Sequence, residues 1–332
     1  MRNLRNLSDF DRDFHPYGWR IGSVALSLAC AIAFIGSSGC SVRQYALHKL
    51  GDALAQSGTT FASDDDPDLV KDAVPFSLKL IESLLAETPR HTGLLLAASS
   101  GFAQYAYGFV QQEADEMEQR DLAVANALRA RAKRLYLRSR SYGLRALELK
   151  HRGFEKALRE NSKTALRTAN ASDVPLLYWT AAAWVSTIRL SKDNPELIAD
   201  LPMVEAMIDR AFELNPDFGE SALHTFLIAY EAARQGAPGD PEARCRKHFE
   251  EAMALSKGFQ AAPLVSLAET ISVKNQNVVE FRSLLNRALA VDVNAKPAWR
   301  LENLIMQRRA RWLLSRVEEL FLVPDETTTN TK

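Results

Sequence analysis

RAFELNP, residues 210–216, sets an alanine, a Phe–Leu pair and a proline at the spacing with which one helix of a tetratricopeptide-type repeat ends and the next begins. Three other stretches share its pattern in weaker form: RALELKHRG (145–153), EAMALSKG (251–258) and RALAVDVN (287–294). Their alanines, Ala146, Ala211, Ala252 and Ala288, let neighbouring helices approach closely. The last two intervals, 41 and 36 residues, lie near the repeat length, and the 65 residues between Ala146 and Ala211 leave room for an inserted or lost unit. Such units bury their apolar faces against neighbours and leave a concave surface for ligands or partner proteins.

Working outward, the pattern stays helical. Ser63-Asp64-Asp65-Asp66-Pro67 predicts a start, with Asp66 as cap and Pro67 in the first turn. Phe76, Leu80, Ile81, Leu84 and Leu85 follow at helical spacing, Pro75 predicts a kink or restart, and Thr88-Pro89 predicts the stop. Further helices are expected over 92–113 and 118–150 and from Pro175, then as pairs over 201–214 with 218–234, 241–256 with 261–274, and 278–291 with 295–321. No stretch alternates with period 2, so the expected class is all-α, a tetratricopeptide-like solenoid of helix pairs.

The first forty residues speak to location. Ile21–Gly36 is an uncharged apolar run, shorter than the roughly 20 residues that span a bilayer as a helix and right for a signal core. Ser37-Ser38-Gly39 then precede Cys40, as a lipoprotein signal peptidase requires, although an aliphatic residue is usual where Ser37 stands. One reading is a cleaved signal (1–39) with lipidation at Cys40; the other is an uncleaved signal anchor with a coincidental cysteine. Both put the remainder outside the cytoplasm, and Ser41 after the cysteine favours the outer membrane. The expected organisation is an anchor-proximal helix and linker over 40–60, the repeat domain over 61–323, and a disordered tail over 324–332, where PDETTTNTK has almost no apolar content.

Charge argues against nucleic acid. Lys plus Arg and Asp plus Glu number 41 each, and loss of residues 1–39 removes four Arg and three Asp, so no positive excess exists to attract polyphosphate. Asp64, Asp65, Asp66 and Asp68 lack the glycine and the bidentate Glu of a calcium loop, since Leu69 and Pro75 stand there; helix capping explains them. Arg129–Arg145 is basic but follows an acidic stretch and spreads around a helix. His48, His91, His151, His224 and His248 are scattered, and no HExxH, GxSxG, GxGxxG, Walker loop or CxxC occurs. No catalytic residue, metal or cofactor is expected, and the chain reads as a non-enzyme. The aromatic clusters are the binding candidates: Phe102, Tyr105 and Tyr107; Tyr136 and Tyr142; Tyr178, Trp179 and Trp184. They either fill a core or line a groove or pore.

Five segments carry a resemblance: FASDDDPDLVKDAVPFSLKLIESLL (61–85), GFAQYAYGFVQ (101–111), RAKRLYLRSRSYGLRALE (131–148), DVPLLYWTAAAW (173–184) and RLENLIMQRRARWLL (300–314). Together they resemble the TatT-type lipoproteins, the T component associated with tripartite ATP-independent periplasmic (TRAP) transporters. The run Glu220-Ser221-Ala222-Leu223-His224-Thr225 departs from the family pattern, in which an acidic residue is usual where Thr225 stands. The resemblance implies a periplasm-facing helical-repeat lipoprotein that pairs with the transporter's solute-binding protein, self-associates as a trimer and assists uptake of a small hydrophobic or organic-acid solute. The alternative reading is an outer-membrane scaffolding or assembly lipoprotein unrelated to transport.

Overall fold

The computed structural model describes residues 49–54 and 58–322, so Cys40, the segment before it and the 324–332 tail lie outside the described residues. Sixteen helices are labelled here. They are α1 Gly58–Ala62, α2 Pro67–Glu87, α3 Thr92–Tyr105, α4 Gln112–Met117, α5 Leu122–Lys150, α6 Phe154–Glu160, α7 Ser162–Leu166 and α8 Val174–Arg189. The second half holds α9 Pro195–Ile198, α10 Leu201–Leu214, α11 Ala222–Glu231, α12 Pro241–Leu255, α13 Ala262–Leu267, α14 Val278–Leu289, α15 Arg300–Leu314 and α16 Val317–Leu320. No strand occurs among the described residues, and the all-α expectation stands.

Local chemistry sets the boundaries. The Asp66 carboxylate accepts from the backbone N–H of Asp68 and Leu69, at 3.1 and 3.0 Å, and Pro67 opens α2 as the sequence predicts. At the other end Thr88 donates its hydroxyl to the Leu84 carbonyl at 2.7 Å, just before Pro89. Asp121, Asn161, Asn194, Asp240 and Asn277 cap later helices in the same way.

In α2 the restart expected as one outcome at Pro75 does not occur, and the place of Phe76 is corrected. The helix runs through Pro75 without a restart: one missing N–H is outweighed by the buried stripe Val70, Leu78, Ile81, Leu84 and Leu85 on both sides of it. Phe76 is not on that stripe. It lies two residues from Leu78, about 160° around the helix, and is 73% exposed.

The described chain packs progressively. α2 lies on α3, α3 on α5 and α8, α5 on α8, and α8 on α10; α11 then packs on α12 and α13, α13 on α14, and α14 on α15. Where α3, α5 and α8 meet, small side chains bring the backbones together. Ala98, Ser99, Ser139, Ala146, Thr180, Ala181 and Ala183 are all fully buried, and Ser139 donates to the Ser99 carbonyl at 2.6 Å. Gly143 sits in this crossing because a Cβ there would come 1.9 Å from Thr180 Oγ1. The second half closes over Phe281, Leu285, Leu264, Val265, Ile271 and Met306, with Cys245 as a small buried member.

Candidate functional site

The last long helix returns to the first elements. Arg300 donates to the Ser63 carbonyl at 2.9 Å, Arg308 pairs with Glu116 at 2.6 Å, and Arg309 pairs with Asp115 at 2.8 Å. Gly108, in the π-helical segment Ala106–Gln111 that joins α3 to α4, faces Ile305 of α15 closely enough that an added Cβ would touch it at 3.4 Å. Arg309 also reaches Glu269, at 2.7 Å, in a second π-helical segment, Ala268–Ser272, which follows α13. A π turn inserts one residue into a helix and re-aims the side chains beside it. Here the two π turns present Tyr107 and Glu269 to the same guanidinium neighbourhood. Burial works against the charge of Arg309, but Glu269 and Asp115 outweigh it and hold its pKa above the usual range.

This closure brings side chains from distant elements close together. Tyr107 is 44% exposed, yet burial pushes its phenol up to about 12, with Glu269, Arg309, Arg189 and Asp115 also acting on it. Glu302 is likewise exposed while burial raises its carboxyl above the carboxylate range. Tyr107 thus meets solvent on one side and desolvating packing on the other. Tyr136 and Tyr178 lie beside it: both phenols are raised, by burial first, and Tyr107 acts on each. Tyr136 donates to Gln111 Oε1 at 2.8 Å.

Tyr178 centres an aromatic cluster. Its ring lies 4.9 Å from Trp179, 5.2 Å from Phe218 and 5.9 Å from Phe226 between centroids, and its hydroxyl donates to the Ala222 carbonyl at 3.4 Å. The corner between Phe218 and Ala222 is strained, with Gly219 at φ 63° and Glu220, a non-glycine, at φ 61°. It is also tied down: Ser221 donates to Gln260 Oε1, Gln260 donates to Glu302 at 3.0 Å, and Lys296 pairs with Glu220.

The predicted aromatic residues thus divide. Tyr107, Tyr136, Tyr178 and Trp179 come together. Phe102 and Tyr142 stack at 6.0 Å between α3 and α5, where the Tyr142 hydroxyl bonds Glu82 at 2.9 Å and Arg138 lies over Phe102. Tyr105 is buried against Phe109 and Arg131. Trp184 is fully buried, with Arg140 over its ring and its Nε1 donating to Asp200 at 3.1 Å. Glu269, Arg309, Arg189, Phe218, Phe226 and Glu302 are absent from the sequence-based candidates. They sit on four helical stretches and the turn before α11, far apart in the chain, and no local spacing announces them. Two open clefts, of about 490 Å³ beside Leu158–Lys163 and about 370 Å³ along α5 near Arg140, hold none of the aromatic candidates.

Among the described residues no cluster of three or more metal-ligating side chains occurs. The nearest approach to one is the pair His224 and His248, whose Nδ1 atoms are 3.0 Å apart against the edge of Phe212. Burial lowers both, His248 to about 4 with His224 as its second cause. A depressed histidine leaves the folded protein with fewer protons than the unfolded chain, so stability is full above about pH 6.5 and falls as pH drops from there toward 4. Urea midpoints measured across that window should decline, and H248F should flatten the decline. An unchanged slope in H248F would assign the loss to other groups.

The architecture defines a class first: among the described residues, an all-helical protein that gathers aromatic and charged side chains where its last long helix meets the first elements. The comparison with known families makes it specific. The chain matches the TRAP transporter T-component family over residues 63–321 and belongs to it. It is also similar to an uncharacterized protein of Treponema pallidum (strain Nichols), 28% identical over 314 residues that cover 88% of this chain and 97% of the relative. Membership makes it an accessory component associated with a TRAP-type transport system. No helix of the described residues is long and apolar enough to cross a membrane.

Proposed function

We propose that the chain is a periplasm-facing, lipid-anchored T component that receives a small solute in its interior and exchanges it with the transporter's solute-binding protein. The observation that carries this reading is the gathering of Tyr107, Tyr136, Tyr178 and Trp179 where α15 closes on the π turn after α3, which in this reading line an enclosed interior. A protein that merely scaffolds others has no use for such an interior. Transfer of a solute between two proteins does, because the solute stays out of bulk water. In this reading the helix pairs form a tetratricopeptide-like solenoid, with Tyr107, Tyr136, Tyr178 and Trp179 on the solute path. Phe102, Tyr105, Tyr142 and Trp184 brace the helices behind it. Cys40 carries the anchor in the outer membrane, and the protein works as a homotrimer.

The test is association with the periplasmic solute-binding protein of the same transport system. Purified together, the two should form a complex with a Kd in the range of about tens of micromolar or tighter, typical of transient partners. No association well above that concentration, by sedimentation or calorimetry, would remove the solute-exchange reading.

A further inference from the structure

The proposed solute site has one carboxylate without a cation. Glu302 is exposed, forms no ion pair among the described residues, and takes a single side-chain hydrogen bond, from Gln260. Arg309, by contrast, is shared by Asp115 and Glu269, and Arg189 acts on Tyr107 and Tyr136, not on Tyr178 or Glu302. Glu302 is held close to the Tyr178 cluster by a chain of contacts. Gln260 bridges it to Ser221, and the adjoining Ala222 carbonyl accepts the Tyr178 hydroxyl. Around Tyr178 stand Trp179, Phe218 and Phe226, each only partly buried, with ring separations of 4.9 to 5.9 Å. Among the described residues six cation–π contacts are formed elsewhere by arginines and a lysine, and none uses these four rings.

Aromatic faces carry negative quadrupolar charge, and several of them beside a carboxylate attract a weakly hydrated cation more strongly than a neutral group of the same shape. Resting on the reading of the interior as a solute site, we propose that Tyr178, Trp179, Phe218, Phe226 and Glu302 form a subsite for an organic cation, a quaternary or alkylated ammonium group. The rings replace the thin hydration shell of the alkylated nitrogen and Glu302 supplies the counter-charge. Burial without a partner leaves the Glu302 carboxyl above its ordinary range, and a bound cation would relieve that cost. A primary ammonium, more strongly hydrated, gains less. Gln260 acts as a positioning residue that aims Glu302 from the strained 219–222 corner.

Calorimetric titration of the full-length protein with choline and with its uncharged isostere, 3,3-dimethylbutan-1-ol, tests the subsite. Choline should bind at least about tenfold more tightly than the alcohol. E302Q keeps the hydrogen bond from Gln260 and should lower choline affinity about tenfold while leaving the alcohol unchanged. W179L should weaken choline about fivefold. Equal binding of both probes, or choline binding unaffected by E302Q, overturns the cation subsite and leaves the solute-site reading standing. Binding of neither probe also overturns it. The solute-site reading itself fails separately, in the association experiment with the solute-binding protein.

Discussion

Gly143→Ala is expected to destabilise the folded protein by roughly 3 kcal/mol, although alanine is the better helix former. On helix propensity alone the substitution would gain about 1 kcal/mol. Against that gain stands the crossing of α3, α5 and α8. The new Cβ falls 1.9 Å from Thr180 Oγ1 and 3.0 Å from Thr180 Cβ and Ser99 Oγ. Thr180 is fully buried and β-branched, so it has few rotamers to retreat into. The helices must move apart, and every small-residue contact along the crossing loosens with them. The obstacle is a side chain, which gives the argument a second arm. In a Thr180→Ala background the same Gly143→Ala change should cost little or turn favourable. Urea unfolding of the two single variants and the double variant reads the coupling directly. Additive effects would show that close approach at this point does not limit the packing.

Arg309→Met is expected to cost about 2 kcal/mol and to loosen the closure specifically. The arginine is 13% exposed and serves two acids from separate parts of the chain, Asp115 at 2.8 Å and Glu269 at 2.7 Å. Methionine keeps much of the apolar stem and leaves both carboxylates without this cation. Their partial exposure, 23% and 27%, lets water recover part of the loss, which is why the expected cost stays below that of a fully buried pair. Amide exchange should rise in α15 and in Gln112–Met117, while the α3–α5–α8 crossing keeps its protection. A uniform rise would mean ordinary destabilisation, and no rise would mean that α15 is held by its apolar face alone.

Much of the helical framework could be read from the sequence because its signals are local. Asp66-Pro67, Thr88-Pro89 and Asp240-Pro241 mark ends within a few residues; the 211–216 run marks the end of α10, but Pro216 opens a turn and α11 begins only at Ala222. Phe76 misled because two apolar stripes a few residues apart are both compatible with helical spacing, and only the packed neighbours decide which is buried. The π turns were not legible: one inserted residue hardly disturbs an apolar period, yet it sets Tyr107 beside Glu269 and Arg309. The site was half legible for a related reason. Tyr178 and Trp179 were singled out with Trp184, but six residues is 240° around a helix, so Trp184 faces elsewhere. Arg309 and Glu302 meet partners 40 to 194 residues away, and such pairings are set by closure of the fold.

The central claim is that Tyr107 faces an enclosed space and not the outer surface. It can be tested by placing a cysteine there, with Cys30 and Cys40 replaced by serine and the buried Cys245 left as an unreactive background. Y107C should react readily with a small methanethiosulfonate and resist a polyethylene glycol maleimide of about 5 kDa, while F76C, at a position 73% exposed, reacts with both. Equal reaction of Y107C and F76C with the bulky reagent would contradict the account.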